Sequence, residues 1–302
     1  MDRLRAVTND KVALHIEMTG QGSPILFIHE FAGDHRSWEP QVRHFSRRHR
    51  CITFAARGYP PSDVPADPAA YSQDRAVEDA LTVINTVQVQ QAHLVGLSMG
   101  GFAALHLART YPDRVLSAAI GGVGYGAAYN KRPAFQTECE VIARAFEEEG
   151  ADRVSQRYAV GPARVQFAAK DPKGHAEFQQ MLAQHSDVGS ANTMRGLQKP
   201  RPSLYDFVDD FGRMEVPLLV MVGDEDDGAM EGSLMLKKTI PTAGLAVFPK
   251  TGHTLNLEEP ALFNSLLEQF IASVSEEAWS PRDPRSLAKS NTGMDEPPVG
   301  ET

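Results

Sequence analysis

Apolar and polar positions along the chain fall into a repeating alternation. Short, nearly continuous apolar runs occur at PILFIHE (24–30), CITFAA (51–56), AHLVGL (92–97), VLSAAIGG (115–122), VPLLVMVG (216–223) and LAVFP (245–249), each with turn residues nearby. Runs of that length and composition predict strands buried on both faces. Between them, longer stretches carry helical patterns at about 37–48, 71–88, 99–110, 229–239 and 258–274. Strand and helix in regular alternation predict an α/β fold, a mostly parallel sheet of about eight strands with helices on both faces. VALHIEMTG (12–20) alternates with period two and predicts an antiparallel edge hairpin with residues 3–7.

The alternation stops between about 124 and 205. FQTECEVIARAFEEEG and AEFQQMLAQHS read as helices there, and no convincing strand intervenes. A segment this long is no crossover loop and predicts a helical lid inserted between two strands. The domain reading is therefore a core in two parts, 1–123 and 206–275, a lid at 124–205, and a tail at 276–302. The tail is polar, proline-rich and without period, which predicts disorder. There is no internal repeat.

Composition bears on partners and compartment. The net charge is −9, and no basic stripe is present to neutralise phosphates, so a nucleic-acid partner is not expected. The cluster Arg43-His44-Arg47-Arg48-His49-Arg50 reads as a solvated helix end. The N-terminus lacks the apolar core of a signal peptide, and no run approaches the roughly 18 apolar residues of a membrane span. A soluble, cytoplasmic protein with no membrane partner is expected. Cys51 and Cys139 make neither a disulfide framework nor a metal-ligand spacing.

HLVGLSMGG (93–101) places a serine where a buried strand ends and a helix begins at once. So sharp a turn forces strained backbone angles and exposes the serine Oγ above the sheet, while the flanking glycines remove Cβ atoms where strand and helix approach. Ser98 is the candidate nucleophile. A serine hydroxyl needs a base, and His253 lies just past the last predicted strand, at the sheet edge where sites of open α/β sheets collect. His93 and His106 read as structural or packed. An acid must orient the imidazole. VGDEDDGAM offers Asp226 three residues beyond the glycine that ends its strand, with Asp224 and Asp227 as fallbacks, Asp227 also as a helix cap. The acid run lacks the spacing of a calcium loop, so no metal site is expected.

With these stations in order, residues 10–275 resemble the α/β-hydrolase fold superfamily, serine hydrolase branch. FIHEFAGDHRSW resembles its oxyanion loop and AARGYPPSDVP its Asp-x-Arg-Gly segment; GLSMGG, VGDEDD and GHTLNLEEP match the nucleophile, acid and histidine stations. The resemblance implies acyl transfer to Ser98, with His253 as base and then acid, and an oxyanion hole made by the backbone N–H groups of Met99 and Phe31. His29 is expected to order the oxyanion loop. Three positions depart from the pattern. Glu30 replaces a glycine, which sets a carboxylate near the site and disfavours anionic substrates unless it points away. Ala55 replaces an aspartate and deprives Arg57 of a partner, and Pro60 replaces a second glycine.

A serine at the elbow argues against the aspartate-dependent dehalogenases and epoxide hydrolases of this fold. GLSMGG and the lid look most similar to carboxylesterases and 3-oxoadipate enol-lactonases, so hydrolysis of a small ester or lactone is the first expectation. Carbon–carbon hydrolysis of ring-cleavage products is the second, and a non-enzymatic receptor or scaffold of the same fold the third. In the lid, Phe135, Phe146, Tyr158, Phe167, Phe178 and Met181 read as lid core. Arg132, Arg153, Arg157, Arg164 and Arg195 read as exposed, with carboxylate clamps among them as the alternative. No cofactor is expected, since hydroxyl, imidazole and carboxylate suffice, and the sequence leaves homo-oligomer formation open.

Overall fold

Alternate residues of the central strands belong to opposite faces of one sheet. Leu26 and Ile28 pack in one apolar cluster with Val77, Val83, Phe102 and Leu236, whereas Ile25 and Phe27 pack in another with Phe45, Phe263, Leu267 and Phe270. That is the period of two expected of an extended chain, with both faces covered. In this computed structural model, which describes residues 1–287 and Thr292, the strands are β1 (Asp2–Val7), β2 (Ala13–Thr19), β3 (Ser23–Ile28), β4 (His49–Phe54), β5 (Ala92–Leu97), β6 (Val115–Gly121), β7 (Leu218–Gly223) and β8 (Ala243–Phe248). They form one eight-stranded sheet in the order β1-β2-β4-β3-β5-β6-β7-β8. β1 and β2 form the antiparallel hairpin, β2 joins β4 antiparallel, and every later pairing is parallel.

The helices are α1 (Glu39–Phe45), α2 (Gln73–Thr86), α3 (Met99–Thr110), α4 (Arg132–Tyr158), α5 (Val165–Lys170), α6 (Pro172–Leu182), α7 (Asp187–Asn192), α8 (Val208–Phe211), α9 (Asp227–Thr239), α10 (Leu255–Glu258) and α11 (Pro260–Ser275). Helices α4 to α7 and a π-helical turn at Thr193–Gln198 occupy the chain between β6 and β7. Gly150, at φ +82, kinks α4, and the Asp187 carboxylate accepts from the Ala151 N–H just past the kink. This segment has its own apolar cluster, with Phe146, Phe167, Phe178 and Leu182 at its centre, and that cluster includes Phe31 and Met99 of the sheet edge. Among the described residues, no helix is long and apolar enough to cross a membrane.

The segment from 276 departs from expectation at its start. The Trp279 ring meets Phe270 edge-on at 4.6 Å, and its Nε1–H donates to the Thr242 carbonyl at 2.8 Å. Gly244 provides the seat, since a Cβ there would lie 2.6 Å from the indole. One tryptophan in a polar stretch has no period, so hydrophobic patterning passes over it. The expectation for residues 288–302, Thr292 aside, lies outside the described residues.

Candidate active site

The carboxyl ends of β3, β5, β6, β7 and β8 are neighbours along one edge of the sheet. Adjacent strands lie about 4.8 Å apart, so the loops that follow them form a single row. Ser98 follows β5, Gly122 follows β6, Asp226 comes three residues after β7, and His253 stands five residues after β8.

Ser98 has φ +51 and ψ −116, backbone that a side chain rarely adopts, and its N–H donates to the Gly121 carbonyl at 2.7 Å. The flanking glycines are needed for space. A Cβ on Gly100 would stand 2.0 Å from the Ile28 carbonyl oxygen, and one on Gly96 would stand 2.3 Å from that of Gly100. The turn therefore holds β3, β5 and α3 at backbone contact and leaves the serine at the first turn of α3, where N–H groups lack intrahelical partners.

His253 Nδ1 and Asp226 Oδ2 are 2.6 Å apart. Of the neighbouring acids, Asp224 accepts from the Thr251 N–H and Glu225 from the Gln166 amide, while Asp227 is the first residue of α9 and not its cap, the N-cap position falling to Asp226. Of the acid candidates, Asp226 is the one the fold brings to His253. Burial alone would lower the pKa of His253, but the Asp226 carboxylate outweighs it and the net shift is upward. Burial likewise would raise Asp226, and the facing imidazole holds it below its ordinary value. The ring lies over the end of β6. A Cβ on Gly122, itself at φ +61, would come 2.9 Å from His253 Cε1 and 3.5 Å from the Asp226 carboxylate. Gly122 is thus a site residue that the motif pattern does not reveal. Its signal in the sequence is only the doubled glycine closing a strand.

The loop after β3 is tied from three directions. His29 Nε2 accepts from the Ala56 N–H at 3.0 Å, which leaves Nδ1 as the protonated nitrogen, donating to the Glu30 carbonyl at 2.7 Å. Burial lowers the His29 pKa, in keeping with a neutral ring. Tyr59 Oη donates to the Phe31 carbonyl at 3.0 Å. Among the described residues, the Phe31 N–H has no hydrogen-bond partner. Glu30, the third tie, is buried, and its carboxylate is gripped by both Nη atoms of Arg164, one at 2.8 Å. Arg164 also donates to Thr254 Oγ1.

This pair corrects two expectations. Arg164 is buried, because folding brings the inserted segment onto the loop after β3 and supplies a carboxylate 134 residues away. Glu30 is therefore neutralised and is no net obstacle to anions. Arg57 likewise does not lack partners. It is buried against Asp79, with two bonds of 2.7 Å, and reaches Asp10 at 2.8 Å, so carboxylates remote in sequence replace the one missing at position 55. His93 bonds Ser117 and His106 packs on Phe207, both away from Ser98.

Ser98, Asp226 and His253 line one cavity of about 840 Å³ between the sheet edge and the inserted helices, a volume suited to a small organic molecule. The inserted helices contribute Phe135, Ile142 and Tyr158 to its wall. Arg201, unremarked in the sequence, also faces it. A separate group beside β2, His15, Glu17 and the buried His35, brings three ligand-type atoms within 4.8 Å of one another, but Glu17 is already held by Arg3 at 3.0 Å and by His15.

Similarity to known proteins agrees with this architecture. The chain is 26% identical to 3-oxoadipate enol-lactonase 2 of Acinetobacter baylyi, covering 87% of this chain and 94% of that one. It is 27% identical to 2-hydroxymuconate semialdehyde hydrolase of a Pseudomonas species, covering 89% and 94%. A thermophilic esterase from Thermogutta terrifontis superposes with a TM-score of 0.79 at 24% identity, over 91% of this chain and 99% of that one, a likeness of fold. Residues 23–260 match the family model described as the alpha/beta hydrolase fold. The chain belongs to the α/β hydrolase fold family.

Proposed function

We propose that this protein is a serine hydrolase that cleaves a carboxylic ester or lactone of a small molecule through an acyl-enzyme on Ser98. The observation that carries the reading is the 2.6 Å His253–Asp226 pair opening onto the same cavity as a serine held at φ +51. With Nδ1 donating to Asp226, Nε2 is the basic nitrogen and takes the Ser98 proton as Oγ bonds the carbonyl carbon. The carbonyl π electrons move onto oxygen, where the N–H groups of Met99 and Phe31 receive the charge. Collapse breaks the bond to the leaving oxygen, which takes the proton from His253. A water then repeats the sequence and frees the acid. The helices between β6 and β7 act as a lid that excludes bulk water and shapes the acyl site.

Carbon–carbon hydrolysis is the second reading, supported by relatives of that activity at similar identity. Turnover of short-chain esters that vanishes in Ser98→Ala supports a serine hydrolase. Activity unchanged by that substitution ends the assignment, and faster turnover of a ring-cleavage dienoate than of any ester reverses the ranking.

A further inference from the structure

Two arginines are buried in the cavity wall, and their charges are met differently. Arg164 has Glu30. Arg201 is 4% exposed, and no carboxylate among the described residues pairs with it. Its Nη1 donates to Gln198 Oε1 and its Nη2 to the Tyr125 carbonyl. The guanidinium lies over the Phe102 ring at 3.8 Å and near that of Phe135 at 4.7 Å. Neutral acceptors and ring faces orient a guanidinium without cancelling its charge. Burial with no countercharge lowers the Arg201 pKa to about 9, which still leaves it charged at neutral pH.

A second guanidinium adds to the field. Arg132 donates to the Arg201 carbonyl and, among the described residues, forms no ion pair and has a buried Nη1 with no hydrogen-bond partner. Of the acids lining the same cavity, Asp226 faces His253, Glu225 lies 3.4 Å from Lys250 Nζ, Asp224 accepts from the Thr251 N–H, Glu138 accepts from Tyr125 Oη and Asp227 opens α9; none of them pairs with Arg201. Arg201 thus presents to the cavity a positive charge that no carboxylate among the described residues pairs with. Phe102, beneath the guanidinium, is one turn past Ser98 on α3, and its N–H donates to the Ser98 carbonyl at 2.9 Å. Ser98 and Arg201 both line the one cavity of about 840 Å³, so an acyl carbon at Ser98 and a carboxylate on Arg201 can belong to a single small molecule.

Building on the serine-hydrolase reading, we infer that the substrate carries a free carboxylate on a short acyl chain and that Arg201 binds it. The class is thereby narrowed to half-esters of short dicarboxylic acids and lactones bearing a carboxylate. The planar fork of Arg201 matches the two carboxylate oxygens, and ligand binding supplies the countercharge that the fold withholds.

Monomethyl glutarate and methyl valerate have acyl chains of equal length and differ by one carboxylate, and methanol release reports both. Wild-type protein is expected to show kcat/KM at least about tenfold higher for the half-ester. Arg201→Gln is expected to cut the half-ester value about 100-fold and the valerate value less than threefold, with Arg201→Lys between, since lysine keeps charge without the fork. Ser98→Ala should bind glutarate calorimetrically, and Ser98→Ala with Arg201→Gln should not. Equal wild-type rates on the two esters, equal losses in Arg201→Gln, or glutarate binding indifferent to Arg201 would each overturn the inference. Should Arg201→Gln not fold, wild-type preference and Arg201→Lys still decide. Turnover of neither ester, with glutarate still bound through Arg201, would remove the esterase reading and keep the anion site.

Discussion

The two walls of the cavity are built by different means. The floor, made by the ends of β5, β6, β7 and β8, is set by backbone contacts: glycines at 96, 100 and 122 let main chains and the His253 ring approach to distances that a Cβ would forbid. The roof, from the inserted helices, is set by side chains: the Glu30–Arg164 pair, aromatic rings, and an arginine without a carboxylate. A floor of this kind fixes where bond-making atoms stand. A roof of side chains leaves the choice of substrate to a few charges and ring positions.

The difference gives a ranking of effects. Asp226→Asn should lower kcat about 10⁴-fold with little change in fold, because the imidazole loses its orienting acceptor. Since His253 must be neutral to take a proton and its pKa lies above the ordinary 6.5, kcat/KM should fall as pH drops through a value above 6.5. In Asp226→Asn that limb should move to lower pH. A stopped-flow pH profile checks both statements, and an unmoved limb would detach the titration from His253.

On the roof, Glu30→Gln leaves Arg164 buried without a countercharge and should cost about 3 kcal/mol of stability. Adding Arg164→Met should recover most of it. Urea titrations of the single and double variants read this directly, and an equal loss in both would mean that the pair's charge is irrelevant to the fold. Back on the floor, Gly122→Ala pushes a Cβ against His253 and should lower kcat about 100-fold by displacing the ring. A normal rate there would mean the ring has room to spare. Smallest is Trp279→Ala, remote from both walls, with an expected loss of about 2 kcal/mol and an unchanged rate. Thermal unfolding and an ester assay together test that separation.

The same contrast explains what the amino-acid sequence disclosed. Strands and helices of the core were legible because burial on two faces writes continuous apolar runs, and Ser98 because a strand, a glycine-flanked serine and a helix are contiguous. Asp226 is singled out from a run of four acids by its distance from a strand end, and it is the one of them that the fold brings to His253. In the roof the helices were legible but the charge pairing was not. Glu30 and Arg164 are 134 residues apart, and Arg201 bonds a carbonyl 76 residues away, so neither local pattern nor spacing signals them. Arg57 shows the point within the core as well: the missing local aspartate suggested an unpaired cation, whereas Asp79 and Asp10 meet it from distant segments. Trp279 was hidden by the polar composition around it.

The proposed function requires Ser98 to be a nucleophile activated through His253. Labelling with a fluorophosphonate followed by peptide mapping measures this without knowledge of the substrate. A single modified peptide carrying Ser98 is expected, with the label lost in His253→Ala while the fold is retained. A folded wild-type protein that stays unlabelled, or that takes the label on another serine, would contradict it.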